Sequence, residues 1–145
     1  MRYALFAYGT LQAPEVLVSV AGRLFPGEVA VLPDHARHAL VGKVYPGLRH
    51  QPGASTQGVL YDGLHAEHIR RLDAFEDFFY RRMRLGVMTE SGEKPAEVYV
   101  IPVEYHHLLD TRPWDFEHFA RHAQARFLAH CQHHDSITSP TRVHR

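Results

Sequence analysis

"RYALFAYGTLQAPEVLVSVAG", Arg2 to Gly22, sets the class of fold. The apolar run Tyr3 to Tyr8 stops at Gly9 and reads as a buried strand. Pro14 stands where a first helical residue belongs and Gly22 where a helix stops, so "APEVLVSVAG" reads as a helix. The join, "AYGTLQAP", is strand, glycine turn and helix start. Such a turn leaves backbone N–H groups pointing the same way as the helix N-terminus, and together these favour an anion such as a carboxylate. Gly9 permits close backbone approach and the Thr10 hydroxyl offers a further hydrogen bond. An ordinary tight strand-to-helix connection has the same letters. Two phosphate-binding patterns are excluded: no Gly-Lys-Ser/Thr follows, and the spacing is not the dinucleotide fingerprint.

Working outward, "GEVAVLP" and "ARHALVGKVY" read as two strands broken by the turn signal Pro33-Asp34. "PGLRHQPGAS", Pro46 to Ser55, reads as a Gly/Pro-rich loop, and "TQGVLYDG" as a further strand. A helix over "LHAEHIRRLDAFEDF" carries a favourable Glu67–Arg71 pair, with His65 a poor cap at its start. "YRRMRLGVMTESGEKPAEVYVIPV" reads as a hairpin turning at Glu90 to Glu93. "WDFEHFARHAQARFLAHC" reads as one amphipathic helix anchored by Trp114, Phe116, Phe119, Phe127 and Leu128. Many strands, few helices and their mixed order predict an α+β domain, a curved sheet or small barrel flanked by helices. We expect one domain over residues 1–131 and a frayed tail over 132–145, where the apolar pattern is lost.

The chain has 145 residues, enough to bury a core without disulfides or a structural metal. Lys+Arg and Asp+Glu are 16 each, a balance that argues against binding nucleic acid or a membrane surface. Cys131 is the single cysteine, so no disulfide forms within the chain. The N-terminal apolar run is too short for a membrane span or a signal peptide, and a soluble, cytoplasmic protein is expected.

"RRLDAFEDFFYRR", Arg70 to Arg82, sets three carboxylates among aromatic rings. Each helical residue turns the side chain by roughly 100°. With Leu72 at zero, Glu76 falls near roughly +40°, inside the stripe of Ile69, Phe75 and Phe79. Asp73 and Asp77 fall near roughly +100° and +140°, toward solvent. A carboxylate on the apolar stripe loses hydration unless it is paired or its pKa rises, and a raised pKa is what a base working near neutrality needs. The other reading is that the helix ends near Phe75 and Glu76 turns outward.

Together these segments resemble the gamma-glutamylcyclotransferase-like family, in its short branch with the plant avirulence-induced proteins and the gamma-glutamylamine cyclotransferases. The resemblance starts at "YGTLQAPEVL", runs through "LVGKVYPGL", "TQGVLYDGL" and "RRLDAFEDFFYRR", and ends at "WDFEHF", covering about Tyr3 to Phe127. It implies a small β-barrel with flanking helices. It implies that Tyr8, Gly9, Thr10 and Leu11 hold a γ-glutamyl group, chiefly by backbone amides, with Glu76 the catalytic base. Tyr99 is a pocket candidate. Tyr80 and Arg82 match signature positions without a carried-over role. The implied reaction is a cyclising acyl transfer, or lyase step: the substrate's α-amine attacks its own γ-carbonyl, releasing 5-oxoproline and an amine. It requires a small γ-glutamyl substrate and no cofactor, metal or nucleotide. A binding domain or interaction module with a vestigial pocket is the alternative, and oligomeric state is left open.

His118 and His122 stand four apart on a helix, and "HH" recurs at His106-His107 and His133-His134. No Glu-x-x-His pattern accompanies them, so they read as solvated histidines rather than metal ligands. Cys131, with no base partner in sequence, reads as structural.

Overall fold

A computed structural model describes residues 2–138, and side chains as far as Cys131. Its strands are β1 (Tyr3–Ala7), β2 (Gly27–Leu40), β3 (Pro46–Leu64), β4 (Arg81–Thr89), β5 (Gly92–Val100) and β6 (Leu109–Pro113). Its helices are α1 (Pro14–Ala21), α2 (Ala66–Phe75), α3 (Phe116–His122) and α4 (Gln124–Thr138). The strands form one sheet in the order β3-β1-β5-β4-β2-β6, and a β2–β3 pairing closes the first five of these into a ring, with β6 paired to β2. β1 and β5 run parallel and the other pairs antiparallel. The α+β barrel expected from sequence is thus present, as a closed and irregular ring.

Alternation along the strands divides the apolar residues between two cores. Phe6 and Tyr8 of the first strand and its extension join Leu32, Leu60, Val87, Val98 and Val100 inside the ring. Leu5 and Ala7 face the other way, against Val16, Leu17, Leu72, Phe75, Phe119 and Phe127 of the helices. Residues of opposite parity on β1 therefore knit ring and helices together.

Several local expectations hold. α1 begins at Pro14 and stops at Gly22, which takes the left-handed conformation with φ 95°. The last hairpin turns through Glu90-Ser91, between Thr89 paired with Gly92.

The region from Gly27 to Leu64 is different. Pro33-Asp34 does not break β2, which runs through 14 residues. The register shifts between Pro33 and His35, Asp34 takes φ 60°, and its Oδ1 accepts the Gly53 N–H at 3.0 Å. The turn signal marks a bulge. Likewise Pro46 to Ser55 is not a loop but the first part of the 19-residue β3. Pro46, its first residue, needs no ladder donor there, and Gly47 to His50 pair with His38 to His35. The partner strand, not local composition, decides the outcome.

The helical expectations also need correction. α2 stops at Phe75, short of Phe78. Its start is not bare: His68 Nδ1 accepts the His65 N–H at 2.9 Å. Burial holds the His68 pKa below the ordinary value, which keeps that nitrogen an acceptor. The C-terminal helix is two helices, parted at Ala123 (φ −135°). Trp114 precedes α3, where Asp115 caps it by accepting the His118 N–H at 3.0 Å. Trp114 Nε1 donates to Val44 O at 2.8 Å and anchors the β2–β3 turn. The boundary expected at Gln132 falls within α4, and residues 139–145 lie outside the described residues. No described helix is long and apolar enough to cross a membrane.

Gly58 lies where β1 and β3 come closest: an added Cβ would sit 2.4 Å from Ala7 O. Neither strand can move without opening the ring. Gly58→Ala is expected to destabilise the protein by about 1–3 kcal/mol, the usual range for overpacking, in a urea titration followed by circular dichroism.

Candidate active site

β1 leaves the ring at Ala7 and the chain turns at once into a 3-10 segment, Thr10–Gln12. The first bond of that segment is Gln12 N–H to Gly9 O at 3.1 Å. The N–H groups of Thr10 and Leu11 precede it and have no partner within the turn. Arg37 steadies the entry, donating from Nη1 to Tyr8 O at 2.9 Å. Pro46 packs so close that a Cβ on Gly9 would sit 2.9 Å from its ring. This is the physical need for glycine here.

Opposite this turn, α2 ends. The Glu76 N–H still closes the last helical turn on Leu72 O at 3.0 Å, but Glu76 has φ −70° and ψ 146°, so the chain leaves the helix there. Glu76 is half-buried and Asp77 buried. Tyr8, Gly9, Thr10, Leu11, Glu76 and Tyr99, the six residues picked from sequence, all line one pocket with Asp77, Tyr45, Tyr80 and Phe127. The cavity measures about 40 Å³. On that measure one water needs roughly 10–15 Å³, so a small polar head group fits. A wider groove of about 570 Å³ adjoins it and shares Glu76, Asp77, Tyr80 and Tyr99.

Helical phase had put Asp77 toward solvent. Because α2 stops first, Asp77 instead turns inward and is only 3% exposed, with Oδ2 accepting from the Tyr45 hydroxyl. Neither Asp77 nor Tyr45 was read from sequence. Phe78, one residue on, is the outward-facing one, at 69% exposure. Asp73 does face outward, yet it holds the site: its Oδ1 accepts the Tyr99 hydroxyl at 2.6 Å and Arg82 Nε at 2.9 Å. Arg82 also donates to the buried Glu97 at 2.5 Å, and Arg84 donates to the same carboxylate at 3.1 Å. Tyr99 and α2 are thereby fixed to β4 and β5. The signature positions Tyr80 and Arg82 thus have visible places, one in the pocket wall and one in its support.

Three phenols surround Glu76. Tyr8, Tyr80 and Tyr99 all have pKa values raised above the ordinary phenol, chiefly by burial, with the Glu76 charge contributing to each. Each has one proton to donate, and none goes to Glu76. Tyr8 donates to Tyr99 O at 2.6 Å, Tyr80 to Pro46 O at 2.5 Å, and Tyr99 to Asp73. No histidine, lysine or cysteine is among the described residues of the inner pocket.

Residues 5–116 match the family model described as "Gamma-glutamyl cyclotransferase, AIG2-like". The chain belongs to this family. AIG2-like protein C of Arabidopsis thaliana is 34% identical over 128 residues, covering 87% of this chain and 74% of its own length. AIG2-like protein A of the same plant is 26% identical over 129 residues, covering 86% and 76%. A solution structure of an Arabidopsis thaliana protein superposes with TM-score 0.70 at 22% identity, over 97% of this chain and 86% of that one. A solved structure named gamma-glutamyl cyclotransferase gives TM-score 0.58 at 20% identity, over 70% and 68%. These structures share the fold.

The described histidines stand apart from the inner pocket. His118 and His122 lie on α3 with ring centres 4.5 Å apart, and His106 and His107 in a 3-10 segment at Val103–Leu108. Among the described residues no group of three or more His, Cys, Asp or Glu is placed to hold a metal. The side chains of His133 and His134 lie outside the described residues. Cys131 is buried against the helical core.

The buried phenols make stability depend on alkaline pH. Tyr61 joins them, its pKa raised by burial. All four fold with pKa values above those of the unfolded chain, so their contribution is complete below about pH 10 and lost as pH climbs through the folded values. An absorbance titration of phenolate should find Tyr8, Tyr80 and Tyr99 silent near pH 10–11 until the protein unfolds.

Proposed function

We propose that this protein is a γ-glutamyl cyclotransferase, releasing 5-oxoproline and a free amine or amino acid from a small γ-glutamyl compound. The observation that carries this reading is the convergence of Glu76 and the Tyr8–Leu11 turn on one pocket in a member of this family. The N–H groups of Thr10 and Leu11 are donors for the substrate's α-carboxylate. The inner pocket takes the glutamyl head, and the groove beyond Glu76 takes the amine that leaves.

In the reaction the α-ammonium gives a proton to Glu76. The freed nitrogen lone pair attacks the γ-carbonyl carbon and closes a five-membered ring. Glu76 returns the proton to the departing nitrogen, the old C–N bond breaks, and the carbonyl re-forms. The ring nitrogen gives its second proton to the freed Glu76, which passes it to the released amine, leaving the neutral lactam. One carboxylate serves as base and then acid. The main contribution of the site is to fold the substrate so that nitrogen and carbonyl meet, a proximity effect. Tyr99, held by Asp73 and Arg82, keeps that shape.

Incubation with a panel of γ-glutamyl amines and peptides, with 5-oxoproline read by mass spectrometry, tests this. Turnover of at least one is expected. Glu76→Gln should lower kcat about 10²–10⁴-fold, the usual worth of general acid–base catalysis. Unchanged activity in Glu76→Gln removes Glu76 from this role. Binding without turnover in the wild type would favour a binding domain instead.

A further inference from the structure

We propose that Asp77 is the counter-ion of the substrate's α-ammonium, a second carboxylate with a role separate from that of Glu76. The assignment rests on the γ-glutamyl reading above, which supplies the cation. Its own basis is one atom. Asp77 is 3% exposed, its Oδ2 accepts from the Tyr45 hydroxyl, and its Oδ1 is buried with no hydrogen-bond partner among the described residues. A buried carboxylate oxygen without a donor is costly, and a site that keeps one has a ligand-borne donor as its natural complement.

The neighbouring cations do not fill that role. Arg81 pairs with Glu104 at 3.0 Å, and Arg82 is held between Asp73 and Glu97. Asp77 lines both the inner pocket and the groove, beside Glu76.

An ammonium carries three N–H donors. One points at Asp77 Oδ1 and another is the proton Glu76 removes. The resulting amine keeps two N–H groups. Asp77 still holds one of them, and this orients the new lone pair toward the γ-carbonyl. Asp77 thus selects for substrates with a free α-amine and keeps that amine in place through deprotonation.

Binding is measured by calorimetry in the Glu76→Gln background, where turnover is expected to be slowed about 10²–10⁴-fold. The probes are L-γ-glutamylethylamide and its desamino counterpart, N-ethylglutaramic acid. Glu76→Gln is expected to bind the amine-bearing probe at least tenfold tighter than the other. Adding Asp77→Asn should bring the ratio close to one with little change in affinity for the desamino probe. Adding Tyr45→Phe, which spares Oδ1 and its charge, should preserve the ratio. Should Asp77→Asn not melt cooperatively, Asp77→Ser is read against the same ratio. A preference that survives loss of Asp77, is missing from Glu76→Gln, or falls equally in Tyr45→Phe overturns the assignment.

Wild-type turnover separates this from the catalytic reading. No 5-oxoproline, with an Asp77-dependent preference intact, ends the cyclotransferase reading and leaves Asp77 as the ammonium site of a binding domain. Turnover without that preference removes the Asp77 assignment alone.

Discussion

The departure of the chain from α2 at Glu76 is the constraint on which the site depends. One more helical turn would send Asp77 to solvent. Instead Glu76 satisfies its N–H on Leu72 and turns to extended backbone, and two successive carboxylates enter one cavity. The segment is tied down on its far side as well. The Tyr80 N–H bonds Asp77 O at 3.1 Å, and Phe79 packs into a small cluster with Leu40 and Ile101. The carboxylates are therefore held by a short bridge between a helix and the ring.

That bridge works only if α2 keeps its place against β4 and β5. The Asp73–Arg82–Glu97–Arg84 chain of ion pairs sets it. Glu97 is buried and meets two guanidinium groups, the arrangement that offsets its desolvation. Asp73 shares its carboxylate between Arg82 and the Tyr99 hydroxyl, so the outward face of α2 sets a wall of the pocket. Acids on a polar face look interchangeable in a sequence; here one of them aligns the helix.

Where the deciding contacts are local, the sequence is legible. Gly9, Pro14 and Gly22 mark β1, the turn and α1, and Glu90-Ser91 marks the last hairpin. The long β2–β3 ribbon was not legible, because the partners of residues 46–50 lie on a strand several residues back across a turn. Gly and Pro there accommodate bulges and close packing that composition alone reads as a loop. Glu76 is a mixed case. Helical phase turns it inward on the premise of a helix running to Phe78; α2 ends at Phe75, and Glu76 lines the pocket all the same. The same premise hid Asp77, whose direction comes from the turn after the helix.

The composition of the pocket assigns the remaining roles. Tyr8, Tyr80 and Tyr99 are buried, kept protonated, and committed to acceptors other than Glu76. They give the pocket its shape. Both acids line the inner pocket and the groove, but Asp77 is buried and engaged by Tyr45 at one oxygen, whereas Glu76 is only half-buried. In the proposed reaction the shuttle must reach both the attacking and the departing nitrogen, which suits the more exposed acid. That difference supports the division proposed above, Glu76 moving the proton and Asp77 holding charge, and two adjacent residues reach it only because the helix stops between Phe75 and Glu76.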